Sequence, residues 1–205
     1  MDKPKVIVIC GPTASGKTAL SIELAKRING EIISSDSMQI YKDMDIGTAK
    51  PTQEEMQGIP HYLIDNVEPN QRYSVADFKK DAENAIEEIL SKGKTPIVVG
   101  GTGLYIDSLI YGIEYQDIKL DEKYRKELEE RVEKEWLETL YNEAKKIDEQ
   151  AIQKISQNDK KRILRILEKY KATGKNKTEQ EIESRKNGVP YDYRVFAINM
   201  PREIL

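Results

Sequence analysis

The chain has 205 residues, 38% hydrophobic and 34% charged, with a net charge of −3, a length that suits one sizeable core plus a smaller insert. Cys10 is the lone cysteine, which excludes a disulfide framework and points to a reducing compartment. No apolar run reaches bilayer length and residues 1–4 carry no signal-peptide profile, so a cytoplasmic protein without a membrane partner is expected.

Val6-Ile7-Val8-Ile9-Cys10 predicts a buried strand, and it runs into Gly11-Pro12-Thr13-Ala14-Ser15-Gly16-Lys17-Thr18, which fits G-x-x-x-x-G-K-[ST]. A phosphate-binding loop must join a strand to a helix N-terminus if its backbone N–H groups are to converge on one anion. Gly11 and Gly16 let the backbone come close to oxygen atoms, Lys17 supplies a point charge, and the Thr18 hydroxyl can ligate Mg²⁺. A helix then carries Ala19, Leu20, Ile22, Leu24, Ala25 and Ile28 on its apolar side and stops at Asn29-Gly30.

Glu31-Ile32-Ile33-Ser34-Ser35 predicts a second strand ending at Asp36, and in an open parallel sheet the strand's carboxyl end places Asp36 near the phosphate loop. Residues 42–51 read as irregular surface chain. His61-Tyr62-Leu63-Ile64-Asp65 reads as a third strand. His61 has no cysteine or second histidine to share a metal with, so packing or hydrogen bonding is its expected role. Ser74 and Asp77 resemble a capping box, followed by Val75, Phe78, Ala82, Ala85, Ile86, Ile89 and Leu90 at helical spacing. Pro96-Ile97-Val98-Val99 predicts a central strand, broken by Gly100-Gly101-Thr102-Gly103-Leu104-Tyr105, a second glycine-rich turn that brings the Thr102 hydroxyl to the same edge.

From Tyr115 to Pro190 the pattern is helical and charged: Tyr124, Leu128, Val132, Leu137, Leu140, Tyr141, Ala144 and Ile147 give one face, Ile163, Leu164, Ile166 and Leu167 another. Strand character returns only at Arg194-Val195-Phe196-Ala197-Ile198-Asn199, expected as a last core strand, with residues 201–205 opening a further helix. The expected fold is therefore α/β, a phosphate-loop parallel sheet flanked by helices over residues 1–114, a helical insertion over 115–190, and a return to the core over 191–205. Charge divides along the insertion: residues 114–149 hold 13 Asp/Glu against 8 Lys/Arg, whereas residues 154–177 hold 9 Lys/Arg against 2 Asp/Glu. Screening confines each charge to about 8–10 Å, so the basic stretch can hold phosphates on an acidic protein.

The phosphate loop, Ser35-Asp36-Ser37-Met38-Gln39-Ile40-Tyr41, Gly47-Thr48-Ala49-Lys50-Pro51, His61 to Asp65, Tyr73 to Phe78 and Gly100 to Tyr105 together resemble, in order, the motif series of the tRNA dimethylallyltransferases. Asn158-Asp159 with Arg162-Ile163-Leu164-Arg165 and Leu167-Glu168 is similar to that family's motif in the helical insert, with Lys160-Lys161 where the family has Pro-Gln. The resemblance implies transfer of a dimethylallyl group from dimethylallyl diphosphate to N6 of an adenosine beside the anticodon. Residues 11–18 would hold the diphosphate with Mg²⁺ on Thr18, Asp36 would act as base, and Thr102 and Lys17 would stand at the reacting atoms. Asp36, Ser37, Met38 and Gln39 would hold the flipped adenine, and Lys161, Arg162, Ile163, Leu164 and Arg165 would meet the anticodon stem-loop of tRNA. Arg202 is a further candidate for the diphosphate. The family continues past Leu205 with a C-terminal helical segment, so the chain is expected to be truncated before it, and a monomer is expected.

Three rivals stand beside this reading. The first is a small-molecule or nucleotide kinase with Asp36 as base and Arg125 or Arg131 in a lid. The second is an adenylate isopentenyltransferase acting on free AMP or ADP, and the third an RNA-binding module switched by nucleotide. The basic segment of the insertion favours a macromolecular acceptor.

Overall fold

Two β-branched runs separated by glycine-rich turns build the centre of a parallel sheet. β1 (Lys5–Cys10) and β4 (Thr95–Gly100) pair along Ile7↔Ile97 to Cys10↔Gly100, and β2 (Gly30–Ser34) lies on the other side of β4. β3 (His61–Tyr62) and β5 (Asp192–Ala197) complete the order β3-β2-β4-β1-β5, every pair parallel. The computed structural model describes residues 3–115, 121–186, 188–201 and 203. Arg202, Ile204 and Leu205, and with them most of the expected final helix, lie outside the described residues.

Helices α1 (Lys17–Ile28), α2 (Gln53–Met56), α3 (Val75–Ser91) and α4 (Gly103–Ile110) join these strands. α3 starts on a complete capping box, with the Ser74 side chain accepting from Asp77 N and the Asp77 side chain accepting from Ser74 N. One face of the sheet packs Val6, Val8, Ile33 and Val98 against Phe78, Ile86 and Leu109; the other packs Ile9, Ile32 and Ile97 against Ile22 and Ala25 of α1.

A second compact unit, Ile113–Asn187, separates from the first, which comprises residues up to Gly112 and from Gly188 onward. It contains α5 (Glu122–Glu135), α6 (Leu137–Ile147), α7 (Glu149–Ile152), α8 (Lys160–Thr173) and α9 (Lys177–Lys186). Leu128, Leu140, Ala144, Ile152, Ile163, Leu164 and Leu167 form its core.

Three expectations change. The third strand is only two residues long, because Leu63 (φ 60°) and Asp65 (φ 57°) adopt left-handed backbone that cannot continue a ladder. The last strand spans 192–197 rather than 194–199 and is an edge: among the described residues it pairs with β1 alone, and Val195 and Phe196 are 45% and 58% exposed. α2 forms just past the stretch read as irregular, where no element was expected; its Thr52–Glu55 capping box is the signal, in a helix too short to show periodicity.

Candidate active site

The register puts the ends of β1, β2 and β4 at one level, since Cys10 pairs with Gly100 and Ser34 with Val99. The phosphate loop, Asp36 and the second glycine turn therefore share one edge of the sheet. Gly100 must be glycine: a Cβ there would collide with the Ser35 hydroxyl and carbonyl. A Cβ on Gly11 would lie 2.8 Å from the Ile198 carbonyl oxygen and 3.2 Å from Ser15 Oγ. Gly16, at φ 79°, turns the loop into α1 with no side-chain cap, so the first-turn N–H groups are left for a ligand. Ser15 Oγ is buried without a hydrogen-bond partner, and Lys17 Nζ rests on the loop's own Pro12 carbonyl. These are the features of an anion cradle.

A cavity of about 100 Å³ opens beside this loop, walled by Thr13, Ala14, Lys17, Thr18, Ser34, Asp36, Gln39, Thr48, Ala49, Pro51, His61, Gly100 and Gly101, among others. Lys17 and Asp36 thus face one space. Burial lowers the Lys17 pKa, while the Asp36 carboxylate works against that shift. Asp36 Oδ1 accepts from the N–H groups of Met38 (2.8 Å) and Gln39 (3.3 Å), and Oδ2 makes no hydrogen bond among the described residues. One oxygen is anchored and the other is left for a ligand.

Thr102 N-caps α4, and its Oγ1 accepts from Ser37 N at 3.0 Å while its own N–H donates to the Ser35 carbonyl. Among the described residues the Thr102 hydroxyl has no acceptor for its proton, and Thr102 does not line the cavity. Gln39 is expected at a bound base, yet its amide is committed elsewhere: Oε1 accepts from Ser34 Oγ, and Nε2 donates to the Thr48 and Ala49 carbonyls. It straps the 44–51 loop to β2. Lys50, its side chain only 5% exposed, pins the same loop through the Tyr41 carbonyl, Asp45 and Asp65. Ser37 is half-buried and Met38 is 44% exposed.

His61 is the wall residue that sequence reasoning missed. Its Nδ1 meets the Ile59 carbonyl at 2.7 Å and so carries the proton. Nε2 is buried without a partner, and burial lowers the pKa, keeping the ring neutral. A larger, mainly apolar hollow of about 470 Å³ lies at the start of the strands, lined by Pro4, Ile7, Leu90 and Phe196 among others; it holds none of these groups.

Mg²⁺ suits the donors present. Thr18 offers a hard oxygen ligand at the cavity, and no cluster of three or more His, Cys, Asp or Glu occurs among the described residues. Such a site fits an ion carried in largely by phosphate oxygens and water.

In the helical unit, Asp159 caps α8 by accepting from Arg162 N. Lys161 and Arg162 are exposed and Arg165 is half-buried, with Arg162 3.4 Å from Asp159 and Arg165 3.9 Å from Glu168. Ile163 and Leu164 must be withdrawn as RNA contacts: both are fully buried and hold the helix in place. Arg125 and Arg131 are also corrected. Arg125 is paired with Glu129 and Glu168, and Arg131 with Glu135 and Glu143, which leaves neither as a lid cation for the kinase rival.

Fold and loop define the class, a phosphate-loop α/β protein with a helical unit inserted before its last strand. The family model for IPP transferase matches residues 39–205. A tRNA dimethylallyltransferase of Acetivibrio thermocellus is 56% identical over 200 residues, 98% of this chain and 64% of the relative. That of Bacillus cytotoxicus is 47% identical over 204 residues, 100% of this chain and 64% of the relative. Among solved structures, the full-length tRNA isopentenylpyrophosphate transferase of Bacillus halodurans superposes with a TM-score of 0.63 at 44% identity, over 98% of this chain and 62% of that one. A eukaryotic dimethylallyltransferase acting on tRNA gives 0.73 at 37%, over 95% and 48%. The chain belongs to the IPP transferase family. It spans about 64% of the length of the curated relatives it matches. Among the described residues, no helix is long and apolar enough to cross a membrane.

Proposed function

We propose that the chain transfers a dimethylallyl group from dimethylallyl diphosphate to N6 of an adenosine next to the anticodon of a tRNA, in the cytoplasm. The observation that carries this is the shared cavity of Lys17 and Asp36, an anion cradle facing a carboxylate with one free oxygen. In the reaction the allylic C1–O bond breaks, a C1–N6 bond forms, the electron pair leaves on the diphosphate, and one N6 proton passes to Asp36 Oδ2. Thr18 would hold Mg²⁺, which would supply charge neutralisation on the leaving group. The loop N–H groups and the Lys17 ammonium stabilise the same developing charge. Thr102 fixes Ser37, and so the Asp36 turn, from outside the cavity wall. The adenine must leave its stack to reach this cavity, at a cost of a few kcal/mol.

Exposed Lys161 and Arg162, with Arg165, would grip the anticodon-stem phosphates and position the RNA rather than read its sequence. That favours tRNA over free AMP as acceptor. The test is transfer from labelled dimethylallyl diphosphate to tRNA or to AMP, with Asp36→Asn alongside the native chain extended to its relatives' length. Label on tRNA, lost by a factor of about 10² or more in Asp36→Asn with diphosphate affinity intact, is expected. Label on AMP alone, or full turnover without the carboxylate, would sink the reading.

A further inference from the structure

We propose that Trp136 is a stacking platform for an unpaired RNA base, with Lys160 and Lys161 at the same end of the helical unit to hold flanking phosphates. The proposal rests on the tRNA reading above and adds a contact to it. Trp136 is the only tryptophan in the chain and joins α5 to α6 with φ 68° and ψ 147°, a conformation that belongs to glycine. It is 81% exposed and its side chain caps neither helix. The chain thus accepts a strained backbone and a large apolar ring in water at one position. Strain of this kind marks sites that act on something outside the fold.

The helix directions say what stands beside it. Arg131 of α5 reaches Glu143 of α6, and Arg125 near the start of α5 reaches Glu168 late in α8. Lys171 lies over the Tyr124 ring, while Lys160 acts on Glu129, a full turn or more further along α5. α5 and α8 are therefore antiparallel, and α8 begins at the end of the unit where Trp136 stands. Residues 154–165 carry five cations against one carboxylate, Asp159. Of the α5 carboxylates, Glu129, Glu130 and Glu135 are already paired with Arg125, Lys134 and Arg131, which leaves Glu133 near the end of α5, with Glu138 in the first turn of α6, as the opposing charges at this end. An exposed indole at the same end of the helical unit as a cationic turn is the combination that single-stranded nucleic acid recognises, through base stacking and phosphate contact.

Because Trp136 is the sole tryptophan, its emission reports the contact directly. A synthetic RNA stem-loop with an unpaired loop should quench it, saturating at the concentration where anisotropy of fluorescently labelled RNA saturates, whereas a blunt duplex of equal length should not. Trp136→Gly should weaken stem-loop affinity about tenfold and Trp136→Phe by much less. Glycine suits this backbone, so a loss cannot be put down to misfolding, which a thermal melt would verify. Stem-loop binding with unchanged emission and native affinity in Trp136→Gly would overturn the platform and leave the tRNA reading standing. Absence of any anisotropy change would overturn both.

Discussion

Lys17 feels two opposing influences, burial that favours the neutral amine and Asp36 that favours the ammonium, and burial is the larger. Its pKa is lowered, so the charge that attracts diphosphate is lost at a lower pH than the 10.5 of an ordinary lysine. Calorimetric titration with inorganic diphosphate should show affinity declining on the alkaline side below that value, and Lys17→Arg should abolish the decline. A flat profile in the native chain would remove the ammonium from the cradle. His61 gives the acid-side counterpart. Its folded pKa lies below 6.5, so the unfolded chain binds the extra proton first as pH falls. The His61 contribution to stability is complete above 6.5 and fades below it, and denaturant melts of His61→Gln should lose that part of the pH dependence. At this scale sequence reached only some of the site. Asp36 was legible because a strand end is a fixed address in a parallel sheet. The bond from Ser37 N to Thr102 and the place of His61 in the cavity wall were not, since both depend on how residues far apart in sequence meet.

Among the elements, α3 was legible down to its capping box, because Ser74 and Asp77 state their roles locally. Ser74→Ala should cost about 1 kcal/mol in chemical denaturation. The break between α5 and α6 was illegible: tryptophan breaks no helix by composition, and the apolar spacing continues across it from Val132 to Leu137 and Leu140. Only the backbone reveals that position 136 holds a glycine conformation. Trp136→Gly should therefore stabilise the helical unit by about 1 kcal/mol, read as a higher melting temperature by circular dichroism. A fall instead would mean that the indole packs more than its exposure indicates. The short β3 belongs here too, since nothing in His61 to Asp65 announces the left-handed residues that end it.

Across the whole molecule, each unit has its own core. Leu140, fully buried in the helical unit, should lose about 3 kcal/mol on truncation to alanine. That loss should appear in the helical signal while diphosphate binding at the loop persists; a parallel loss of both would contradict separate cores. The order of strands was only partly readable, because β5 lies 92 residues beyond β4 yet pairs with β1, and no local pattern names that neighbour.

One contact reaches further than its size suggests. Gly112, at φ 61°, approaches Gly188 and Val189 so closely that a Cβ on it would lie 3.1 Å from the Gly188 carbonyl oxygen. The 75-residue excursion between them, Ile113–Asn187, departs and rejoins through a single doorway. It can be treated as a cassette: a brief glycine-containing splice in its place would still deliver Asp192–Ala197 to its partner strand, and sister cassettes could be exchanged there without rethreading the sheet.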